Sequence, residues 1–143
     1  MNKEKIYKFL RLSMSFIFIW AFLDKTFGFG FATTIEKAWI KGGSPTYGFL
    51  TNGTKGPFAE FFQSLAGIAF VDWAFMIGLL FIGLTLLLNR YVKWGTVAGI
   101  VMMLLMYLAS FPPENNPIVD EHIIYIFVLA IIAFEGKLLK SKN

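Results

Sequence analysis

The sequence predicts an all-α membrane protein, folded as one domain around a four-transmembrane-helix bundle. Of the 143 residues, 57% are hydrophobic and only 15% are charged, and the mean hydropathy is +0.64. A soluble domain has about one charged residue in four. The apolar residues also fall into four stretches, each of which approaches the roughly 20 residues of a membrane helix once its flanks are included. Both observations indicate an integral membrane protein.

The four expected spans cover about residues 9–27, 73–88, 94–111 and 123–139, and an outer loop over about 28–72 separates the first two. Nine basic residues lie on the side of the two termini with only two carboxylates, whereas four lie on the other side with seven carboxylates. The nine are Lys3, Lys5, Lys8, Arg11, Arg90, Lys93, Lys137, Lys140 and Lys142. By the positive-inside rule, both termini are expected in the cytoplasm.

The chain contains no cysteine and a single histidine. Without thiols it can form no disulfide, iron–sulfur cluster or thiolate metal site, and one histidine disfavours a multi-histidine metal or haem site. No metal, haem or iron–sulfur cofactor is therefore expected. The net charge of +4 does not indicate a nucleic-acid partner, because the basic residues gather at the ends of the apolar stretches.

The outer loop is expected to contain two short amphipathic helices. Residues 33–36 match a capping box, and Gly42-Gly43 can end the helix that follows it. A second helix is expected after Pro57, where aromatic and aliphatic residues repeat at helical spacing over 58–65. The turn-rich stretch 42–53 between them is either a surface linker or a lid over a binding site.

Asp24 and Lys25 interrupt the first apolar stretch near its outer end. Three structural explanations are open: the helix ends at Leu23, the segment is a signal peptide, or the charged pair is an interfacial anchor. A signal peptide is disfavoured because no small-residue cleavage site follows the apolar core. Alternatively the charges face inward and form a polar site, since a charge at mid-bilayer costs about 2.5–3.5 kcal/mol and is normally paired or turned into the bundle.

Several motifs together resemble those of the DoxX/DoxD membrane proteins. They are Arg11 near the start of the first span, Phe22-Leu23-Asp24-Lys25 at its end, Ser44-Pro45-Thr46-Tyr47-Gly48-Phe49-Leu50, Gly56-Pro57-Phe58 followed by Val71-Asp72-Trp73, and the stretch 112–125, PPENNPIVDEHIIY. The resemblance covers nearly the whole chain, and the long first outer loop favours the DoxD branch.

DoxD is the large subunit of thiosulfate:quinone oxidoreductase, which couples two thiosulfates into tetrathionate and reduces a membrane quinone. The resemblance therefore implies a prokaryotic plasma membrane protein that uses quinone as electron acceptor and a small sulfur oxyanion as substrate. It also implies a small DoxA-like partner subunit, of which this chain contains no fused counterpart. Whether the chain forms a homo-oligomer is left open.

The candidate site joins the outer ends of the first and fourth spans. Lys25 would supply a cation for an oxyanion, and Asp24 would orient it or accept a proton. His122 suits proton transfer to or from a quinone because unperturbed histidine titrates near neutrality, and Glu121 lies beside it. These four residues are the catalytic candidates. The substrate-binding candidates are Lys25, Tyr47, Asp120, Tyr125 and Trp20.

Each candidate also has a structural explanation. Carboxylates in the first turns of a helix favour the positive end of its dipole, and tryptophan and tyrosine form interfacial belts. Arg11 lies about 21 Å from Lys25 along a helix, so we expect it to anchor the cytoplasmic surface or pair with Glu135. Two other functions remain open: a non-catalytic scaffold for a redox partner, and a small-molecule transporter, which is weakened by the few polar residues in the spans.

Overall fold

A computed structural model describes the backbone of residues 2–141 and the side chains of residues 2–136. Lys142 lies outside this range, as do the side chains of Lys137 and Lys140, which were expected on the side of the termini. Within the described range the chain forms six α-helices: α1 (Lys3–Phe27), α2 (Tyr47–Asn52), α3 (Ala59–Gln63), α4 (Ala69–Leu87), α5 (Val92–Ala109) and α6 (Glu121–Ser141).

Three of these helices, α1, α4 and α5, are long and apolar enough to cross a membrane. This agrees with the expected membrane class, and the three helices are candidates for three of the four expected spans. The helix α6 covers the fourth expected span with 21 residues, and its crossing of the membrane stays a prediction. The helices pack in a ring in which α1 contacts α4 and α6, and α5 contacts α4 and α6. The central layer comprises Met14, Phe18, Met76, Leu79, Ile82, Leu86, Val92, Met103, Leu129 and Ile132.

The helix α1 continues through Asp24 and Lys25, so the explanation that it ends at Leu23 is wrong. It begins where the Asn2 side chain accepts a hydrogen bond from the Lys5 N–H, at 3.0 Å. It ends at Gly28, which has a φ of 71° and donates its N–H to the Asp24 carbonyl at 2.7 Å. Glycine adopts this left-handed conformation without steric cost.

Arg11 is buried and caps the last turn of α4. Its Nη1 donates to the carbonyl oxygens of Leu86 and, at 3.1 Å, Leu87. Helix ends leave carbonyls without internal partners, and a cation there also matches the helix dipole. Arg11 forms no ion pair with Glu135, which is among the described side chains. The arginine therefore ties α1 to α4 instead of pairing with α6.

The outer loop differs from its predicted form. The first expected helix is replaced by two 3₁₀ turns, Ile35–Lys37 and Trp39–Lys41, because the intervening Ala38 is buried and has an extended ψ of 139°. The stretch expected to be turn-rich contains α2. The second expected helix is present as a 3₁₀ turn at Gly56–Phe58 followed by α3. Its Phe62 packs against Leu50 and Ala109, so this helix covers the end of the bundle.

Candidate functional site

The buried carboxylate of Asp24 is occupied by the loop that follows α1. Its Oδ2 accepts the backbone N–H groups of Ala32 at 2.8 Å and Thr33 at 2.9 Å, and its Oδ1 accepts that of Phe31 at 3.3 Å. Buried backbone N–H groups need partners, and hydrogen bonds to a carboxylate are stronger than those to a neutral acceptor. This geometry gives Asp24 a structural role: its charge is neutralised by backbone dipoles.

Lys25 is half-buried and reaches toward the outer loop. Its Nζ donates to the Pro45 carbonyl at 3.0 Å and lies 5.8 Å from the centre of the Phe75 ring. Among the described residues it forms no ion pair with Asp24. The ammonium is therefore engaged by a backbone oxygen, in the place where an oxyanion was expected.

Asp72, in the first turn of α4, holds the same loop segment from the other side. Its Oδ1 accepts the Ser44 hydroxyl at 2.8 Å, the Thr46 hydroxyl at 2.6 Å and the Thr46 N–H at 3.1 Å. Lys25, Asp72 and the segment 44–46 between them form what we call the loop clamp. From sequence alone, Asp72 was named only as part of the motif Val71-Asp72-Trp73. The signal for its role was the serine and the threonine that flank Pro45, since their hydroxyls can hold a loop by hydrogen bonds.

A second polar region lies between the α2–α3 connection and the segment that leads into α6. It encloses a cavity of about 460 Å³, which we call the outer cavity. It is lined by Phe49, Asn52, Gly53, Thr54, Lys55, Ser110, Pro113, Glu114, Asn115, Asn116, Val119, Asp120, Glu121 and His122. Three predicted site residues, Asp120, Glu121 and His122, are in this lining, whereas Lys25 and the other α1 candidates are not.

Asp120 and His122 form a side-chain pair in the lining of the outer cavity. His122 Nδ1 lies 2.8 Å from Asp120 Oδ2, and the two side chains are only 12% and 13% exposed. Asp120 Oδ1 accepts the Ile123 N–H at 3.2 Å and so caps α6. Burial would raise the pKa of Asp120, but the hydrogen bond from His122, the Ile123 N–H and the charge of His122 outweigh it and lower that pKa. The carboxylate therefore stays ionised and fixes the orientation of the imidazole.

The imidazole thus resembles the aspartate-oriented histidines used for proton transfer. When Nδ1 donates to the carboxylate, neutral His122 offers Nε2 as an acceptor, and the protonated ring donates from both nitrogens. An adjacent carboxylate that holds one nitrogen fixes which atom exchanges the proton. The pair can therefore accept and release one proton at a defined position.

The outer cavity carries more negative than positive charge. Glu114, Asp120 and Glu121 line it together with Lys55, whose Nζ lies 3.3 Å from Glu114 Oε1. The donor atoms of Asp120, Glu121 and His122 lie within 4.8 Å of one another, so this group is the place where a cation could be held. Because Asp120 and His122 already bind each other and Glu121 is exposed, we assign no metal to it.

The remaining candidates lie elsewhere. Trp20 joins an aromatic cluster on the outer part of α1, with ring centres 5.8 Å from Phe16, 5.8 Å from Phe29 and 5.1 Å from Phe31. Tyr47 is 53% exposed at the start of α2, and Tyr125 packs against the central layer. The structure thus separates the predicted residues into four places: the loop clamp with Lys25, the turn after α1 with Asp24, the outer cavity, and these outlying aromatics.

Sequence reasoning missed the amide side chains of the outer cavity. Asn116 Oδ1 accepts the N–H groups of Ile118 at 2.9 Å and Val119 at 2.6 Å, which folds the segment before α6. Asn52 and Asn115 add further polar lining.

No protein-family model, no curated protein and no solved structure matches this chain.

Proposed function

We propose that this chain is the membrane subunit of a quinone-reducing oxidoreductase, in which electrons from a small reduced sulfur anion, thiosulfate, reach quinone at the extracytoplasmic face. In this proposal α6 is the fourth span and both termini are cytoplasmic, so the outer cavity opens on the outer side. The observation that carries the proposal is the Asp120–His122 pair in that cavity. The resemblance of the motifs to DoxX/DoxD proteins supplies the substrate class.

The reaction divides into two halves that balance. Two thiosulfate dianions form one sulfur–sulfur bond, give tetrathionate and release two electrons. The quinone takes those two electrons and two protons to become the quinol. Neither half needs a protein thiol, which agrees with a chain that has no cysteine.

The lining of the outer cavity suits the quinone half. A quinone head group is neutral and carries two carbonyl acceptors, which the Asn115 amide in the cavity lining and a protonated His122 can meet as donors. His122 would deliver protons from Nε2 while Asp120 holds Nδ1, and positioned proton transfer of this kind contributes about 10²–10⁴-fold to a rate. Because His122 lines an open cavity, it can be reprotonated from water.

The same lining disfavours the sulfur half. Like charges 4 Å apart repel by about 4 kcal/mol at an effective dielectric constant of 20, and three carboxylates against one lysine would repel a dianion. We therefore place the thiosulfate-binding surface on a second, smaller subunit of the DoxA-like kind, or at its contact with this chain. In this arrangement Lys25 and Asp24 position the outer loop.

A purified-protein assay tests the proposal. Quinone reduction is measured with thiosulfate and a short-chain ubiquinone, for the chain alone and supplemented with extract from its own host membranes. We expect His122→Gln to lose at least about 100-fold in kcat, while Glu36→Gln, an exposed residue outside the cavity, matches the wild type. Quinol formation that survives His122→Gln at full rate would refute the role of His122.

The acidity of the outer cavity also favours a second function, a non-catalytic scaffold that holds a redox partner. The assay separates the two. A scaffold predicts that His122→Gln leaves the activity of the reconstituted complex unchanged, whereas the oxidoreductase subunit predicts its loss. A transporter would instead carry labelled thiosulfate into vesicles without quinone.

A further inference from the structure

A second cavity, of about 360 Å³, lies at the turn between α4 and α5, at the opposite end of these helices from the outer cavity. We call it the hairpin groove; it is lined by Phe81, Leu84, Thr85, Leu88, Arg90 and Tyr91. Phe81, Leu84 and Leu88 form an apolar wall on one face of α4 and are 42%, 40% and 61% exposed. At 1.5 Å per residue this wall is about 10 Å long.

The turn carries Arg90, which lines the groove beside this wall. Asn89 and Tyr91 have positive φ angles of 53° and 56°, and the Arg90 N–H donates to the Thr85 carbonyl at 3.2 Å. These contacts fix the backbone that carries Arg90 and Tyr91. Within the part of the chain that the structure describes, the Arg90 guanidinium has no hydrogen-bond or carboxylate partner.

We propose that the hairpin groove binds one anionic phospholipid. One acyl chain lies along Phe81, Leu84 and Leu88, and the headgroup phosphate binds the guanidinium of Arg90 and the hydroxyl of Tyr91. Arginine pairs with phosphate through two parallel hydrogen bonds. The headgroup of an anionic lipid such as phosphatidylglycerol carries no ammonium of its own that would compete with Arg90 for the phosphate. The positive-inside orientation places this groove in the cytoplasmic leaflet, where anionic lipids attract basic residues. The proposal does not depend on the redox function.

Native mass spectrometry of the full chain in detergent tests this inference. The protein is titrated with phosphatidylglycerol and with phosphatidylcholine of identical acyl chains. We expect the first phosphatidylglycerol to bind at least about tenfold more tightly than phosphatidylcholine, and Arg90→Gln to weaken it about tenfold or more. Lys93→Gln is the matched control, because its ammonium lies over the Trp94 ring outside the groove; it should weaken binding by no more than about fivefold.

Three outcomes would overturn the proposal. Equal binding of the two lipids by the wild type would show that no anionic site exists. Equal losses in Arg90→Gln and Lys93→Gln would show diffuse surface attraction in place of a defined site. Displacement of the lipid by soluble glycerol phosphate at lipid-like concentrations would show that the apolar wall adds nothing.

Discussion

The loop clamp and the outer cavity use similar residues in opposite ways. In the loop clamp, Lys25 and Asp72 are engaged by a loop backbone and its hydroxyls, as Asp24 is by the turn after α1. In the outer cavity, Asp120 and His122 bind each other through side chains and face an open volume. A charge whose hydrogen-bonding capacity is used by backbone stabilises the fold, whereas a charge paired beside a cavity can exchange protons.

The largest effect on stability is expected from Asp24→Ala. The substitution leaves three backbone N–H groups without an acceptor. That of Thr33 is buried, where such a loss costs about 1–3 kcal/mol, whereas those of Phe31 and Ala32 are part-buried and cost less. We expect a loss of about 2–4 kcal/mol in the free energy of unfolding, measured by thermal unfolding in detergent. Glu60→Ala, at an exposed carboxylate in α3, is the control. An unchanged melting temperature would contradict the structural role of Asp24.

A smaller loss is expected from Thr46→Val in the loop clamp. This change keeps the shape of the side chain but removes the hydroxyl that donates to Asp72 at 2.6 Å. A hydrogen bond to a charged group contributes about 1.5–3 kcal/mol, and the Thr46 N–H remains as a partner of Asp72. Faster hydrogen exchange across residues 44–50, measured by mass spectrometry, is the expected sign. Thr51→Val, whose hydroxyl bonds within α2, should leave that exchange unchanged.

The smallest effect concerns pH and the outer cavity. Because the folded protein lowers the pKa of Asp120, its charge stabilises the fold above the unfolded value of about 3.9. That stabilisation is lost as the pH falls through the lower, folded pKa. Asp120→Asn keeps the helix cap but lacks this charge. The difference in melting temperature between wild type and variant should therefore shrink from pH 6 to pH 3; a constant difference would show that the charge of Asp120 is not involved.

Hydropathy and charge predicted the helices well because both are properties of consecutive residues. The predicted span 73–88 compares with an observed helix at Ala69–Leu87, and 94–111 with Val92–Ala109. The first helix begins earlier than predicted, at Lys3, since hydropathy marks the apolar part of a helix and its polar first turns are stabilised by the Asn2 cap. Thus the membrane class and the helix order follow from sequence alone.

The separation of the two polar regions did not follow from sequence. The bond from Thr46 to Asp72 joins residues 26 apart, and the bond from Lys25 to Pro45 joins residues 20 apart. No periodic pattern encodes such pairs, so the sequence alone predicts that the charges at the outer ends of the first and fourth spans form one site. The Asp120–His122 pair could be predicted from the sequence, because the two residues are only two positions apart.

The central claim is that the outer cavity, and not the surroundings of Lys25, receives the quinone head group. Photolabelling with an azido-quinone, followed by mass spectrometry of the cross-linked peptides, tests it directly. We expect labels on residues 113–122 and 52–55, with loss of labelling when an unlabelled quinone competes. Competed labels confined to residues 39–47 and 72–75, around the loop clamp, would contradict the account.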